Sequence, residues 1–457
     1  MFDNLIGQEE ARALLEGDIR GDSLPPSLLL SGPPASGKLT AALEVARILS
    51  CEAELPGAWA CPCPACSRHR SLSHPDLLLL GRRSFPEEIA AALDTLAAAP
   101  GKAGAYFFIR AIRKLEKRFD ASLWEGEESK LSKAAGLLAD LEERLSFLDP
   151  ESGNPVTPAM LKEAAAIVAI ATKLGAMVPD MPPVAQVRSV EWWARLAPWG
   201  RRKTVIIENA DAMNESSRNA LLKILEEPPP SVSFVLVSAR RHAMMRTILS
   251  RVRSYPFWAR DAASSREVLA KVFRVDLAKL EGEGPALLTP ERWLASKRAL
   301  PPEQARHFAS DLVAAIVAGR LDRGAAHGSF LAEAGRTAGA EGLDIAGAIA
   351  ATLAGTKDLG QKDEAFADSF DAILSAIEES LGEALRASGL GAGDLAWMAT
   401  AADILREARV RSESFNLPAA TLLETLAYRL RDIGIANGAE ARDGRGFRGA
   451  SPSRGQA

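Results

Sequence analysis

Leu28-Leu29-Leu30-Ser31-Gly32-Pro33-Pro34-Ala35-Ser36-Gly37-Lys38-Leu39-Thr40 decides the fold. Three leucines make a short buried strand. The spacing Gly32-x4-Gly37-Lys38 then lets the backbone wrap an anion and places the Lys38 ammonium where it reaches the outer phosphates of a nucleotide. Ala41, Ala42, Val45, Ala46 and Leu49 follow at helical spacing. Strand, glycine loop and helix in this order form a phosphate loop, with Gly32, Gly37 and Lys38 as its binding residues. The next position should offer a hydroxyl to Mg²⁺ but holds Leu39. Thr40 is the nearest hydroxyl, turned about 100° further round the helix.

The flanking sequence alternates short apolar strands with helices. Residues 8–19 read as a helix, Leu77 to Leu80 as a strand, Val205 to Ile207 and Phe234 to Val237 as further strands, and Ser216 to Glu227 as a helix stopped by Pro228-Pro229-Pro230. This alternation predicts a parallel α/β domain over residues 1–258. Within it, residues from about 81 to 186 are Ala-rich and helical. Strand signals end at Phe257. A small helical domain is expected over 259–300, a larger one over 301–436 with a helix from Phe366 to Leu385, and a disordered Gly, Ser and Arg-rich tail over 437–457.

Four further stretches carry a family resemblance. Asn219-Ala220-Leu221-Leu222-Lys223-Ile224-Leu225-Glu226-Glu227-Pro228-Pro229 is similar to the hallmark segment of bacterial clamp-loader subunits. Phe2-Asp3-Asn4-Leu5-Ile6-Gly7-Gln8 resembles the family's opening segment, and Thr247-Ile248-Leu249-Ser250-Arg251 its Ser-Arg motif, with Val252 in place of Cys. Asn416 to Leu426 faintly resembles the end of the family's collar domain. The chain thus resembles the AAA+ clamp-loader family of DNA polymerase III. The resemblance implies an AAA+ P-loop sheet domain with a zinc module and a helical insertion, followed by a helical lid and a helical collar.

The departures from the motor pattern shape the functional expectation. Motor subunits of the family end the strand at Thr204 to Glu208 with Asp-Glu; here it ends Glu208-Asn209. Glu208 remains a binding candidate, but Asn209 cannot take up a proton near neutral pH and so cannot be the general base. Asp211 is expected to cap the following helix. ATP or ADP binding is therefore expected to be weak or absent. These losses resemble the delta-prime type of subunit rather than a gamma/tau-like motor, which stays the alternative. By that resemblance the chain is a non-hydrolysing stator in the cytoplasm. It would sit in a hetero-oligomeric ring with gamma/tau and delta, serving the sliding clamp and primer-template DNA. Arg251 would act in trans as an arginine finger on a neighbour's ATP; taken alone, Arg251 reads sooner as an ordinary surface or salt-bridged arginine.

All four cysteines, Cys51, Cys61, Cys63 and Cys66, fall within one short stretch. Such clustering points to a structural zinc site in a reducing compartment rather than a disulfide framework. The single residue between Cys61 and Cys63 is tight for the family's module, and His69 or His74 could replace one thiolate. Arg110, Arg113, Lys114, Lys117 and Arg118 share one helical stripe, readable as a solvated face or as a contact for DNA or a partner. The chain has 457 residues, enough for two to four domains, and a formal net charge of −4. That balance excludes a globally basic nucleic-acid coat. No apolar run suggests a membrane span, and the first residues do not read as a signal peptide.

Overall fold

The computed structural model describes residues 1–148, 150, 155–179, 181–283, 288–297, 300, 302–325, 329–357, 363–386, 392–414 and 419–434. The expected tail over 437–457 and the first residues of the Asn416–Leu426 segment lie outside them. The chain divides into two compact units, Met1–Arg298 and Ala299–Ala457.

The first unit is built on five parallel strands: β1 (Ser27–Ser31), β2 (Leu77–Leu80), β3 (Lys203–Ile207), β4 (Val232–Ser238) and β5 (Arg253–Pro256), in spatial order β2-β3-β4-β1-β5. The phosphate-loop strand β1 lies between β4 and β5. β5 left no hydrophobic signal, because Arg253-Ser254-Tyr255-Pro256 is an edge strand that buries only Tyr255 fully. Its backbone pairing with β1, rather than its side chains, makes it a strand.

Alternate residues of each strand face opposite sides, so the sheet has two cores. Leu28, Leu30, Leu77, Leu79, Ile206, Val235 and Val237 pack with helices α1 (Glu9–Arg20) and α2 (Lys38–Ser50). On the other face, Leu29, Leu78, Leu80, Val205, Ile207, Phe234 and Leu236 pack with a helical layer. After the short helix α3 (Pro64–Arg70), that layer comprises α4 (Phe85–Ala98), α5 (Lys102–Glu116), α6 (Glu128–Leu145), α7 (Pro158–Gly175), α8 (Val184–Arg195) and α9 (Glu215–Glu226). The helices between β2 and β3 are thus one face of the sheet's own core. A one-turn helix α10 (Arg246–Leu249) precedes β5, and α11 (Ala262–Lys271), α12 (Leu277–Glu283) and α13 (Pro290–Ala295) follow it.

These last helices lean on α4. Ala91 of α4 is buried with Val268, Leu269, Phe273 and Trp293. Thr95 Oγ1 donates to the Phe273 carbonyl at 3.0 Å, and Lys297 pairs with Asp94 at 2.7 Å. The second unit contains α14 (Pro302–Leu321), α15 (Ser329–Ala340), α16 (Ile345–Lys357), α17 (Asp363–Arg386), α18 (Ala392–Ser414) and α19 (Ala419–Asp432). Its core gathers Leu312, Ile316, Phe370, Ile373, Trp397 and Leu426. No described helix is long and apolar enough to cross a membrane.

Phe108 of α5 is fully buried in the core it shares with β1 to β4. Phe108→Ala should destabilise the whole first unit by about 3–5 kcal/mol, read as an earlier urea midpoint. A variant that loosens α5 while the sheet keeps its stability would show the helical layer to be an independent appendage.

Candidate nucleotide and metal sites

The phosphate loop joins β1 to α2 at the carboxyl edge of the sheet, the usual ligand edge of parallel α/β folds. Its shape depends on two glycines. A Cβ at Gly32 would lie 2.1 Å from the Phe257 carbonyl oxygen, and Gly37 has φ 97°. Lys38 starts α2 and turns back onto its own loop. Its ammonium donates to the Gly32 carbonyl at 2.6 Å, to the Pro33 carbonyl, and to Ser36 Oγ at 3.2 Å. Burial lowers its pKa to about 8. Leu39, in the magnesium-hydroxyl position, is buried in the cluster holding Phe2, Leu5 and Tyr255. Thr40 is half-buried.

Glu208 directly follows β3, but cations of this same chain hold its carboxylate. Arg83 Nη1 lies 2.7 Å from one oxygen and Arg118 Nη2 pairs with the other. Arg83 also reaches Glu88 at 2.6 Å, and Lys114 pairs with Glu88 too. Burial would raise the Glu88 carboxyl; Arg83 and Lys114 outweigh it and bring it down to about 2. Burial lowers the pKa of Arg118, and Glu208 opposes that shift. Asn209 follows in a left-handed conformation (φ 50°) and donates to the Arg82 carbonyl at 2.8 Å.

Asp211 does not cap the next helix. Asn214 does, accepting from the Ser217 amide at 2.8 Å. Asp211 sits in a turn whose geometry aims it at the sheet edge instead. It accepts from Ser238 Oγ at 2.7 Å and from Arg240 Nε at 2.8 Å. Ser238 ends β4 directly beside Ser31 of β1. Ser238 and Arg83 reach this edge with no local pattern in the sequence to mark them, whereas Asp211 and Arg118 are visible in the sequence but in other roles.

The basic stripe of α5 is neither a solvated face nor a free contact surface. Arg110 donates to the carbonyls of His69 (3.2 Å) and Arg70 (2.7 Å), Arg113 to that of Ser71 (2.9 Å), and Lys117 to that of His74 (3.0 Å). Lys114 and Arg118 serve the acids above. The stripe fastens α5 to the cysteine segment and to β3. In sequence it reads as solvated because the acceptors are mostly backbone carbonyls, which leave no sequence pattern.

The four cysteine Sγ atoms lie within 4.8 Å of one another. Cys51 Sγ is 3.7 Å from that of Cys61 and 4.0 Å from that of Cys63. Tetrahedral zinc with bonds near 2.3 Å needs sulfurs about 3.8 Å apart, so the donor set fits that metal. Cys63 caps α3, its sulfur accepting the Cys66 amide at 3.4 Å, and Pro64 opens the helix. This cap is how one intervening residue suffices between Cys61 and Cys63. Burial pushes the Cys63 thiol up, but amide donors from Glu52 and Cys66 outweigh it, bringing it to about 7. Arg47, fully buried, donates to Cys66 Sγ at 3.3 Å and to the carbonyls of Gly57 and Ala58. His69 and His74 stand outside the cluster and stack on each other, ring centroids 4.2 Å apart. Burial drives His69 down to about 2, so it stays neutral.

Arg251 lies between α10 and β5. Its guanidinium pairs with Glu226 of α9 at 2.8 Å and donates to the Thr247 carbonyl at 2.7 Å. It is half-exposed, so both readings of it remain compatible with its place.

The family model described as DNA polymerase III, delta subunit, matches residues 7–131 and 181–260. The chain belongs to the DNA polymerase III clamp-loader family. The stretch between the matched parts, 132–180, is shorter than the expected insertion of about 81–186, so α4 and α5 lie within the family's match. The chain is 40% identical over 89 residues to the DNA polymerase III subunit delta' of Pseudomonas aeruginosa, covering 19% of this chain and 27% of that protein. It is 34% identical over 74 residues to the subunit delta' of Bacillus subtilis, covering 16% and 22%. It is 33% identical over 72 residues to the subunit gamma/tau of Mycobacterium tuberculosis, covering 16% and 12%. The matches therefore span about a quarter or less of these relatives, which include both subunit types.

Protein purified without added metal should contain about one zinc per chain at ~2.3 Å from sulfur, and Cys66→Ser should lose it. Chelation should raise amide exchange over 51–70 and leave β1 to β5 protected. A metal-free product with the same exchange pattern would rule the site out.

Proposed function

We propose that the chain is a non-hydrolysing, delta-prime-like clamp-loader subunit of DNA polymerase III in the cytoplasm. One observation carries this reading: both oxygens of Glu208 are paired with Arg83 and Arg118, which leaves no free carboxylate at the end of β3 to hold Mg²⁺. Leu39 and Asn209 support it, because neither can supply the metal hydroxyl or the base. Structural zinc in the cysteine module supports the fold and takes no part in chemistry.

In this reading residues 1–258 are the AAA+ domain, with 51–66 its zinc module. Residues 259–300 are the lid and 301–436 the collar through which a ring with gamma/tau and delta subunits assembles. The ring would open the sliding clamp and place it on primer-template DNA. Arg251 would leave Glu226 and donate to the phosphates of ATP in a neighbouring motor subunit. Its fixed fork and permanent charge suit a phosphoryl group whose charge shifts in the transition state.

The test is reconstitution with motor subunits, clamp and primed DNA. The isolated chain should show no ATP turnover. Arg251→Ala should leave assembly intact and lower DNA-stimulated ATPase at the adjoining site. Such fingers are worth roughly 10³–10⁵ in turnover at a single site, diluted in the ring by the other sites. Arg251→Lys should recover little. Robust turnover by the isolated chain, lost in Lys38→Ala, would instead make it a gamma/tau-like motor.

A further inference from the structure

Arg260 stands in the linker between β5 and α11, far in sequence from the phosphate loop. Its side chain nevertheless lies against that loop. Nε donates to the Ile6 carbonyl at 3.1 Å, and Nη1 donates to the Ala35 carbonyl. A Cβ at Gly37 would lie 2.8 Å from Arg260 Nη2 and 2.9 Å from Leu5 Cδ1. A Cβ at Gly7 would lie 2.6 Å from the Ser264 side chain. Three segments therefore close on one guanidinium: the opening segment at Leu5 to Gly7, the phosphate loop at Ala35 to Gly37, and the start of the lid at Arg260 to Ser264.

The partners of this guanidinium are backbone carbonyls, and among the described residues no acid pairs with it. Gln8 locks the arrangement from the side. Its amide nitrogen donates to the Trp258 carbonyl at 2.8 Å and its amide oxygen accepts the Trp258 N–H at 3.0 Å. Two segments distant in sequence are thereby held edge to edge, with Arg260 between them and the loop. Lys38 is turned onto loop carbonyls in the same way.

We propose that Arg260 is a built-in plug that bars nucleotide from the phosphate loop. A nucleotide seated on Gly37 and Lys38 needs the space along Ile6 and Ala35 that the guanidinium fills. Entry then requires breaking both carbonyl bonds and moving Arg260. The apparent affinity falls by the fraction of molecules in which it has moved. The inference rests on the non-hydrolysing reading above, and it assigns that property to one movable side chain as well as to the missing metal ligands.

The experiment titrates the full chain with a fluorescent ADP analogue, with Mg²⁺ and again with EDTA. Wild type is compared with Arg260→Leu and Arg260→Met, two variants that keep an apolar stem and are checked for folding by thermal melting. The variants should bind at least about tenfold more tightly than wild type, and ADP should raise their melting temperature but not that of wild type. Equal binding by all three proteins, or binding by none, would overturn the plug. Tighter binding by wild type, in either buffer, would make Arg260 a phosphate ligand and also overturn it. The outcomes separate from those of the stator reading: wild type that binds ADP without hydrolysing ATP removes the plug alone, whereas turnover by the chain removes the stator.

Discussion

Glu208 shares its carboxylate between Arg83, just after β2, and Arg118, just past the end of α5. Both this acid and Arg118 are almost wholly buried. Taking such charges out of water is expensive, and their attraction repays that only with close geometry and further hydrogen bonds. Arg118 meets the condition by donating also to the carbonyls of Gly81 and Lys114. Breaking one partner of such a group typically costs about 3–5 kcal/mol, whereas replacing the whole set with apolar residues is often neutral. The network therefore specifies an arrangement more than it stabilises one. It fixes where α5 lies on the sheet, and the apolar burial of Phe108, Ile109 and Ile112 supplies the stability.

From that fixed position the helical layer grips three other parts of the unit. Arg110, Arg113 and Lys117 hold the carbonyls between His69 and His74, behind the cysteine cluster. Ala91 and Thr95 of α4 hold the helices that follow β5. Arg118 holds the carboxylate that an active site of this class would give to magnesium. In the non-hydrolysing reading proposed above, the contacts that hold the unit together also occupy the carboxylate that a motor subunit would use. Strain and charge at an active site normally oppose stability; here Glu208 is paired with two arginines of the scaffold.

Much of the architecture is legible in the sequence. Leu77–Leu80 and the β1–loop–α2 segment stand where the apolar pattern placed them, because fully buried parallel strands are short continuous apolar runs. β5 was invisible, since an edge strand with one buried side chain has no such run. The cysteine cluster was readable from spacing, yet the role of Cys63 as a helix cap was not. The basic stripe of α5 was visible but misread, because its partners are mostly main-chain oxygens that every sequence possesses. Arg83 and Arg260 have no local signal, and Arg118 reads only as part of the stripe, because each meets its partner at the site across ninety or more residues of chain. Only tertiary packing pairs them, and the site they form is a property of the fold rather than of a motif.

A double-mutant cycle tests the central claim that Glu208 is an anchor rather than a metal ligand. Urea unfolding would be measured for wild type, Arg118→Met, Glu208→Leu and the double variant. Each single change should cost about 3–5 kcal/mol, because it strands a buried charge. The double change should cost less than the sum by at least about 1 kcal/mol, the coupling expected of residues in direct contact. Additivity to within about 0.3–0.5 kcal/mol would show that Arg118 and Glu208 do not depend on each other, and would return the carboxylate to the nucleotide site.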